Sequence, residues 1–312
     1  MSIIFFGSDD FAAVSLERLI REGFDIRAVV TQPDRPRGRG MNVTFLPVKM
    51  LALEQGIPVL QPQDLSQEDF CERLASFEAD IFVVIAYGKI LPPDVLNMPE
   101  KMCVNVHASL LPKYRGAAPI QWAVINGDRE TGVTLIKMNR KMDAGPCLAQ
   151  KKTVIDPERD VGSLRRRLAQ LGADCLVECL PLIGSDDAQL HSQDEAQAVY
   201  APKITKQTGH IDWNASAEAI ANLVRGLSPR PGAYTEFQGK RLKILQACPV
   251  DGMSSRDQRP GRIIAVNQQG FAVACGKGVL QVERVHPESS KAMSARSFTI
   301  GHDLIPEKTV LG

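Results

Sequence analysis

The run IFVVIA at residues 81–86 carries no polar side chain at any position, so a strand built from it must be covered on both faces. That requirement rules out a sheet with one wet face and points to strands joined by crossover helices. The N-terminus repeats the pattern. An apolar strand at 3–6 ends in Gly7-Ser8, and a helical periodicity over 11–22 follows, with Phe11, Val14 and Ile20 placed inward. Further strands are predicted at 26–31, 57–60, 80–86 and 102–107, with helices near 47–55, 66–77 and 117–126. Strands at 131–138 and 147–155 precede a long helix at 160–183, which carries Arg165, Arg166 and Arg167 near its start. The order predicts an α/β domain with a mainly parallel sheet.

Beyond residue 184 the character changes. Residues 184–208 are polar and read as a connection. One helix at 215–227 is then followed by short strands near 233–237, 242–248, 261–266, 271–275 and 279–285, punctuated by Gly and Pro as in a small barrel. Boundaries are accordingly placed at 1–189 for the first domain, 190–208 for the linker and 209–312 for the second domain. The net charge of +1 is unevenly spread, with residues 205–312 at +5 and residues 1–204 at −4. A basic second domain suits an anionic partner, although uneven surface decoration gives the same count.

Composition narrows the remaining classes. At 44% hydrophobic and 23% charged residues, the chain can bury a large core. Its seven cysteines include no C-x-x-C pair, so reduced thiols fit better than a zinc site, and no metal is expected. Neither a basic leader nor an apolar run of membrane-spanning length is present. A cytoplasmic protein without a membrane partner is the expectation.

The densest local feature is CVNVHASLLPKYRGAAP at 103–119. Asn105 and His107 are two apart on a predicted strand, so their side chains leave the same face, and the strand runs into a Pro/Gly-containing loop where α/β folds place ligands. Asp143 follows on a loop after the strand at 131–138. Acyl transfer to an amine needs a donor for the developing oxyanion, a group that titrates near neutrality, and a carboxylate to orient it. Asn105, His107 and Asp143 supply those parts, although on residue type alone each could be a structural group. No G-x-S-x-G elbow is present, and GSDDFA after the first strand is not a dinucleotide fingerprint.

The string NVHASLLPKYRGAAPIQWAVINGDRETGVTLIKM, followed by MDAG, resembles the 10-formyltetrahydrofolate-dependent formyltransferases. That resemblance implies Asn105, His107 and Asp143 as catalytic residues on a Rossmann-like domain, with an OB-like β-barrel behind it. It also implies 10-formyltetrahydrofolate as co-substrate, with Ser109, Leu110, Leu111 and Pro112 lining its cleft and the backbone near Tyr87, Gly88 and Ile90 holding the pterin ring. TQPDRPRGRG at 31–40, PVK at 47–49, YAPKIT at 200–205, GHIDW at 209–213 and KAMSA at 291–295 are similar to segments of the branch acting on methionyl initiator tRNA. On that branch Arg35, Arg37 and Arg39 belong to a loop that reaches the acceptor end. Lys206 and Lys243 are candidates for backbone contacts, the partner is tRNA rather than DNA, and the protein is a monomer.

Three departures stand out. Ala108 replaces a common Gly, Asp143-Ala144-Gly145-Pro146 replaces Asp-Thr-Gly-Asp, and MNVTF follows the arginine loop where many relatives carry lysines. Two rival readings use the same residues. One is an amino-sugar formyltransferase, which gives no reason for the arginine loop. The other is a non-catalytic RNA-binding scaffold, which gives no reason for the intact trio.

Overall fold

The computed structural model describes residues 1–37, 42–43 and 45–312, with the backbone alone described at 36–37 and 42–43. It divides into two compact units, neither continuous in sequence. Met1–Gly116, Thr131–Thr153 and Arg165–Tyr200 form the first; Ala117–Glu130, Val154–Leu164 and Ala201–Gly312 form the second. The linear reading placed its linker at 190–208, whereas residues up to Tyr200 group with the first unit.

The first unit is built on β1 (Ser2–Gly7), α1 (Asp10–Arg21), β2 (Asp25–Val30), α2 (Pro47–Glu54), β3 (Val59–Leu60), α3 (Glu68–Ala75), β4 (Ile81–Ile85) and β5 (Met102–His107). After α4 (Pro119–Ile125) come β6 (Glu130–Lys137), β7 (Cys147–Val154) and the long α5 (Val161–Gly184). The sheet runs β7-β6-β5-β4-β1-β2-β3. β1 pairs in parallel with β2 and β4, β4 with β5, and β2 with β3; β6 is antiparallel to β5. Every residue of β1 and β4 is buried, as a strand apolar on both faces requires.

Helix α1 starts where Asp9 accepts a hydrogen bond from the Ala12 N–H at 3.1 Å, and Arg18 and Arg21 occupy its last turn. Its buried stripe is Phe11, Ala12, Ser15, Leu16 and Leu19. Val14 and Ile20, expected inward, are half-buried: small Ala12 and Ser15 face the core, which rotates the stripe away from them. Arg165 on α5 reaches back to Asp9 (2.5 Å) and Asp10 (2.8 Å) and lies over the Phe11 ring. One arginine of the basic run is therefore committed to ion pairs. Pro36–Arg37 and Asn42–Val43 form a small antiparallel pair within the arginine loop.

The second unit holds α4, α6 (Ala217–Leu227), β8 (Ala233–Phe237), β9 (Lys240–Val250), β10 (Ile263–Asn267), β11 (Gly270–Ala274), β12 (Val279–Pro287), β13 (Met293–Ser294) and α7 (Ala295–Gly301). The last strand and helix were not anticipated from sequence, being too short to show a period. The order is β8-β9-β12-β11-β10, with β13 on β12 and all pairs antiparallel. Residues 309–312 bridge its two edges. Ile263 N–H donates to the Thr309 carbonyl (2.9 Å) and Leu311 N–H to that of Gly261 (2.8 Å), while Gly312 N–H donates to that of Glu236 (3.2 Å). Phe271, Val282, Val285 and Phe298 fill the interior, and the Trp213 indole N–H donates to the Thr235 hydroxyl at 3.0 Å. Gly226 lets α6 approach α4: a Cβ there would stand 2.7 Å from Ile125 Cγ1.

Candidate active site

β5 delivers both Asn105 and His107. They share a side of the strand, and the antiparallel pairing with β6 sets Asn105 opposite Ile136 and His107 opposite Thr134. β6 then runs into the turn bearing Asp143. Asp143 has φ +52°, a left-handed conformation that a short polar side chain tolerates best. Two residues on, a Cβ at Gly145 would fall 1.8 Å from the Lys137 carbonyl oxygen, so only glycine fits there.

These elements bring three side chains to one point. Asp143 Oδ1 lies 3.5 Å from Asn105 Nδ2 and 3.5 Å from His107 Nδ1. Its other oxygen, Oδ2, accepts a hydrogen bond from the Gly116 N–H at 2.8 Å. The imidazole is nearly buried at 7% side-chain exposure, and the carboxylate is 13% exposed. One carboxylate oxygen is thus held by backbone, while the other faces the Asn105 amide and His107 Nδ1 at long range. Contacts of that length are common at reactive groups before substrate is bound.

The far side of the imidazole is anchored as well. His107 Nε2 lies 2.9 Å from the Tyr114 carbonyl oxygen, which can only accept, so Nε2 carries a hydrogen. The chain between His107 and Tyr114 is tied down from within. Thr134, fully buried on β6, donates to the Ser109 carbonyl (2.6 Å) and accepts from the Leu111 N–H (3.0 Å). Gln150 on β7 donates to the Leu111 carbonyl (2.7 Å) and to the Thr134 hydroxyl (3.1 Å). Sequence inspection missed both; the one available signal was a Thr inside the otherwise apolar GVTLI.

The expected folate residues fall into two groups. Ser109 is fully buried and its hydroxyl donates to the Lys113 carbonyl at 2.6 Å, so the side chain is engaged internally. Leu111 is buried, and the Leu111–Pro112 peptide is cis. The second group leaves the end of β4, the strand next to β5, with Val84 in register with Asn105. Tyr87 is core: its ring meets Phe6 edge-on at 5.5 Å, and its carbonyl accepts from Gln32 Nε2 at 3.0 Å. Burial pushes its phenol up to about 12, so the group stays neutral. Gly88 has φ +79°, and Ile90 stands 75% exposed.

Of the tRNA candidates, Arg35 is exposed, the Arg37 side chain is not described, and Arg39 lies outside the described residues. Lys206 and Lys243 are in the second unit. Lys206 is exposed, and Lys243 donates to the Pro231 carbonyl at 2.7 Å. Among the described residues no group of three or more His, Cys, Asp or Glu side chains could hold a metal ion, and no helix is long and apolar enough to cross a membrane.

Comparison with known proteins gives this constellation its class. The formyl transferase family matches residues 1–180, and the formyl transferase C-terminal domain matches residues 203–303. The chain belongs to the formyl transferase family. Relatives that align over its whole length are methionyl-tRNA formyltransferases. That of Caldanaerobacter subterraneus is 46% identical over 312 residues, spanning 100% of both chains. That of Geobacter metallireducens is 44% identical over 306 residues, 98% of this chain and 97% of its own. Among solved structures, the sugar 3N-formyl transferase WlaRD, determined with dTDP and 5-N-formyl-THF, superposes with a TM-score of 0.69 at 16% identity, covering 93% of this chain and 98% of its own. HypX from Aquifex aeolicus, in complex with tetrahydrofolic acid, gives 0.66 at 16% identity over 95% of this chain and 46% of its own. At such identities the two structures establish the fold alone.

Proposed function

We propose that this chain transfers the formyl group of 10-formyltetrahydrofolate to the amino group of methionyl initiator tRNA, giving N-formylmethionyl-tRNA and tetrahydrofolate. The observation that carries the proposal is the approach of Asn105 and His107 to one oxygen of Asp143, in a chain aligned end to end with methionyl-tRNA formyltransferases.

The trio holds no hydroxyl or thiol that would form an acyl-enzyme, so the amine attacks the formyl carbon directly. Negative charge then builds on the formyl oxygen. The Asn105 amide and the protonated imidazole of His107 are the donors that meet it, in a nearly dry setting where such donors are strongest. Asp143 stabilises the imidazolium and takes part in moving the proton from the attacking amine. Protonation at N10 releases tetrahydrofolate.

In this reading the backbone at Tyr87, Gly88 and Ile90 holds the pterin ring, with Ser109 to Pro112 shaping the neighbouring wall. Support comes from the position of the 87–90 segment, at the end of the strand beside β5, and from the exposed apolar Ile90 on it. Arg35, Arg37 and Arg39 contact the acceptor end, and Lys206 and Lys243 the tRNA backbone. Such binding weakens steeply as salt rises. The enzyme works as a cytoplasmic monomer on RNA, with neither DNA nor a membrane as partner.

An assay with radiolabelled formyl donor tests the whole reading. Initiator Met-tRNA, elongator Met-tRNA and an amino sugar are offered separately. Label in initiator Met-tRNA alone supports it; label in the amino sugar, with none in either tRNA, overturns it.

A further inference from the structure

The segment after residue 190, which reads as a linker, contains the group that fixes the catalytic loop. Gln193 Nε2 donates to two carbonyl oxygens of that loop, Asp143 O at 2.8 Å and Gly145 O at 2.7 Å. Its Oε1 accepts from Arg115, at 3.1 Å from Nε and 2.8 Å from Nη2. Arg115 is 1% exposed and grips the Glu195 carboxylate through both terminal nitrogens, at 3.0 and 2.9 Å. The Arg115 N–H donates to the Val199 carbonyl at 2.8 Å, which ties the same segment to the 114–116 loop. That loop contributes both the Tyr114 carbonyl on His107 and the Gly116 N–H on Asp143.

From this we infer that Gln193 is a positioning residue: it sets the Asp143 carboxylate against His107 by holding the backbone of the 143–145 turn. The physical need is visible in that turn. Asp143 sits at φ +52°, a conformation that costs even a short polar residue some free energy, and an external contact on the turn offsets that cost. One amide bridging two carbonyls two residues apart is such a constraint, and Arg115 aims the amide by leaving its oxygen no other orientation. The amide can be replaced by neither a carboxylate nor an alkyl group, because the two carbonyls require an N–H donor.

The inference rests on Asp143 acting in the reaction, and the experiment separates the two claims. Full-length Gln193→Ala and Gln193→Glu are compared with Asp143→Ala by kcat and KM for both substrates. Gln193→Ala is also combined with Asp143→Asn. Glutamate can still accept from Arg115 but presents oxygen to the two carbonyls, so it keeps the structural contact and loses the positioning one. Both Gln193 variants are expected to lower kcat about tenfold to a hundredfold, with KM within about twofold, as for a small misplacement of a reacting group. In the Asp143→Asn background, Gln193→Ala should produce no further loss. Parent-like kcat in Gln193→Glu, or a full additional loss on top of Asp143→Asn, overturns the positioning role. Parent-like kcat in Asp143→Ala overturns the reading of Asp143 itself.

Discussion

The imidazole of His107 and the carbonyl of Tyr114 meet at 2.9 Å through Nε2, and this contact decides which ring nitrogen can exchange a proton. A carbonyl oxygen has no hydrogen to give, so Nε2 keeps its own and Nδ1 is the nitrogen without one in the neutral ring. Nδ1 is also the nitrogen facing Asp143 Oδ1 at 3.5 Å. The tautomer is therefore selected by backbone geometry at residues 114–116, and the nitrogen turned toward Asp143 follows from a bond on the opposite edge of the ring.

His107→Ala is expected to lower kcat by about 10²- to 10⁴-fold, the usual weight of a positioned acid–base group. Single-turnover formylation at saturating substrates measures it. A loss below tenfold would remove His107 from the chemistry.

Asn105→Ala should lower kcat by on the order of a hundredfold or more, the loss seen when one oxyanion donor is deleted. Filter binding of initiator Met-tRNA should stay near the parent value. Weakened tRNA binding with unchanged turnover would assign Asn105 to recognition instead.

Arg39→Ala tests the proposed contact with the other substrate. Its expected signature is a raised KM for initiator Met-tRNA and a shallower salt dependence of binding, with affinity for the folate co-substrate unchanged. Identical kinetics with initiator tRNA would count against the loop as a contact.

Thr134→Val keeps the shape of a side chain with no exposed surface but strands the Leu111 N–H and the Ser109 carbonyl. Leaving such groups unpaired costs about 1–3 kcal/mol in stability. Equilibrium denaturation reports that cost. Because the same hydroxyl anchors residues 109–111, which we propose line the folate site, KM for the folate co-substrate should rise in the same variant.

Acid should loosen the 143–145 loop through Glu195. Its hydrogen bond from Arg115 holds the carboxyl below the ordinary carboxylate range. A depressed acid stabilises the fold above its unfolded pKa, and that contribution is lost as pH falls through the depressed value. Glu195→Gln should therefore lower the thermal midpoint at neutral pH, and the gap to the parent should close at strongly acidic pH. A gap that stays constant across the titration would show that the ion pair contributes nothing.

What could be read from the chain alone is governed by local rules. Periodicity placed most strands and helices because burial on one or two faces imposes a repeat of 2 or 3.6 residues or an unbroken apolar run. IFVVI became a fully buried strand, with Ala86 exposed just beyond its end, and 102–107 was delimited to the residue. Asn105 and His107 were paired for the same reason: two positions apart on a strand is a local relationship. Short elements such as 293–294 and 295–301 left no period to detect. Only tertiary structure could bring Asp143 to within 3.5 Å of both Asn105 and His107, 38 and 36 positions away. Only tertiary structure, likewise, could turn residues 193–199 from a polar connection into the brace of the 114–116 and 143–145 loops. Such contacts arise when strands from distant parts of the chain enter one sheet and their loops meet at its edge, and no residue's neighbours in sequence carry that information.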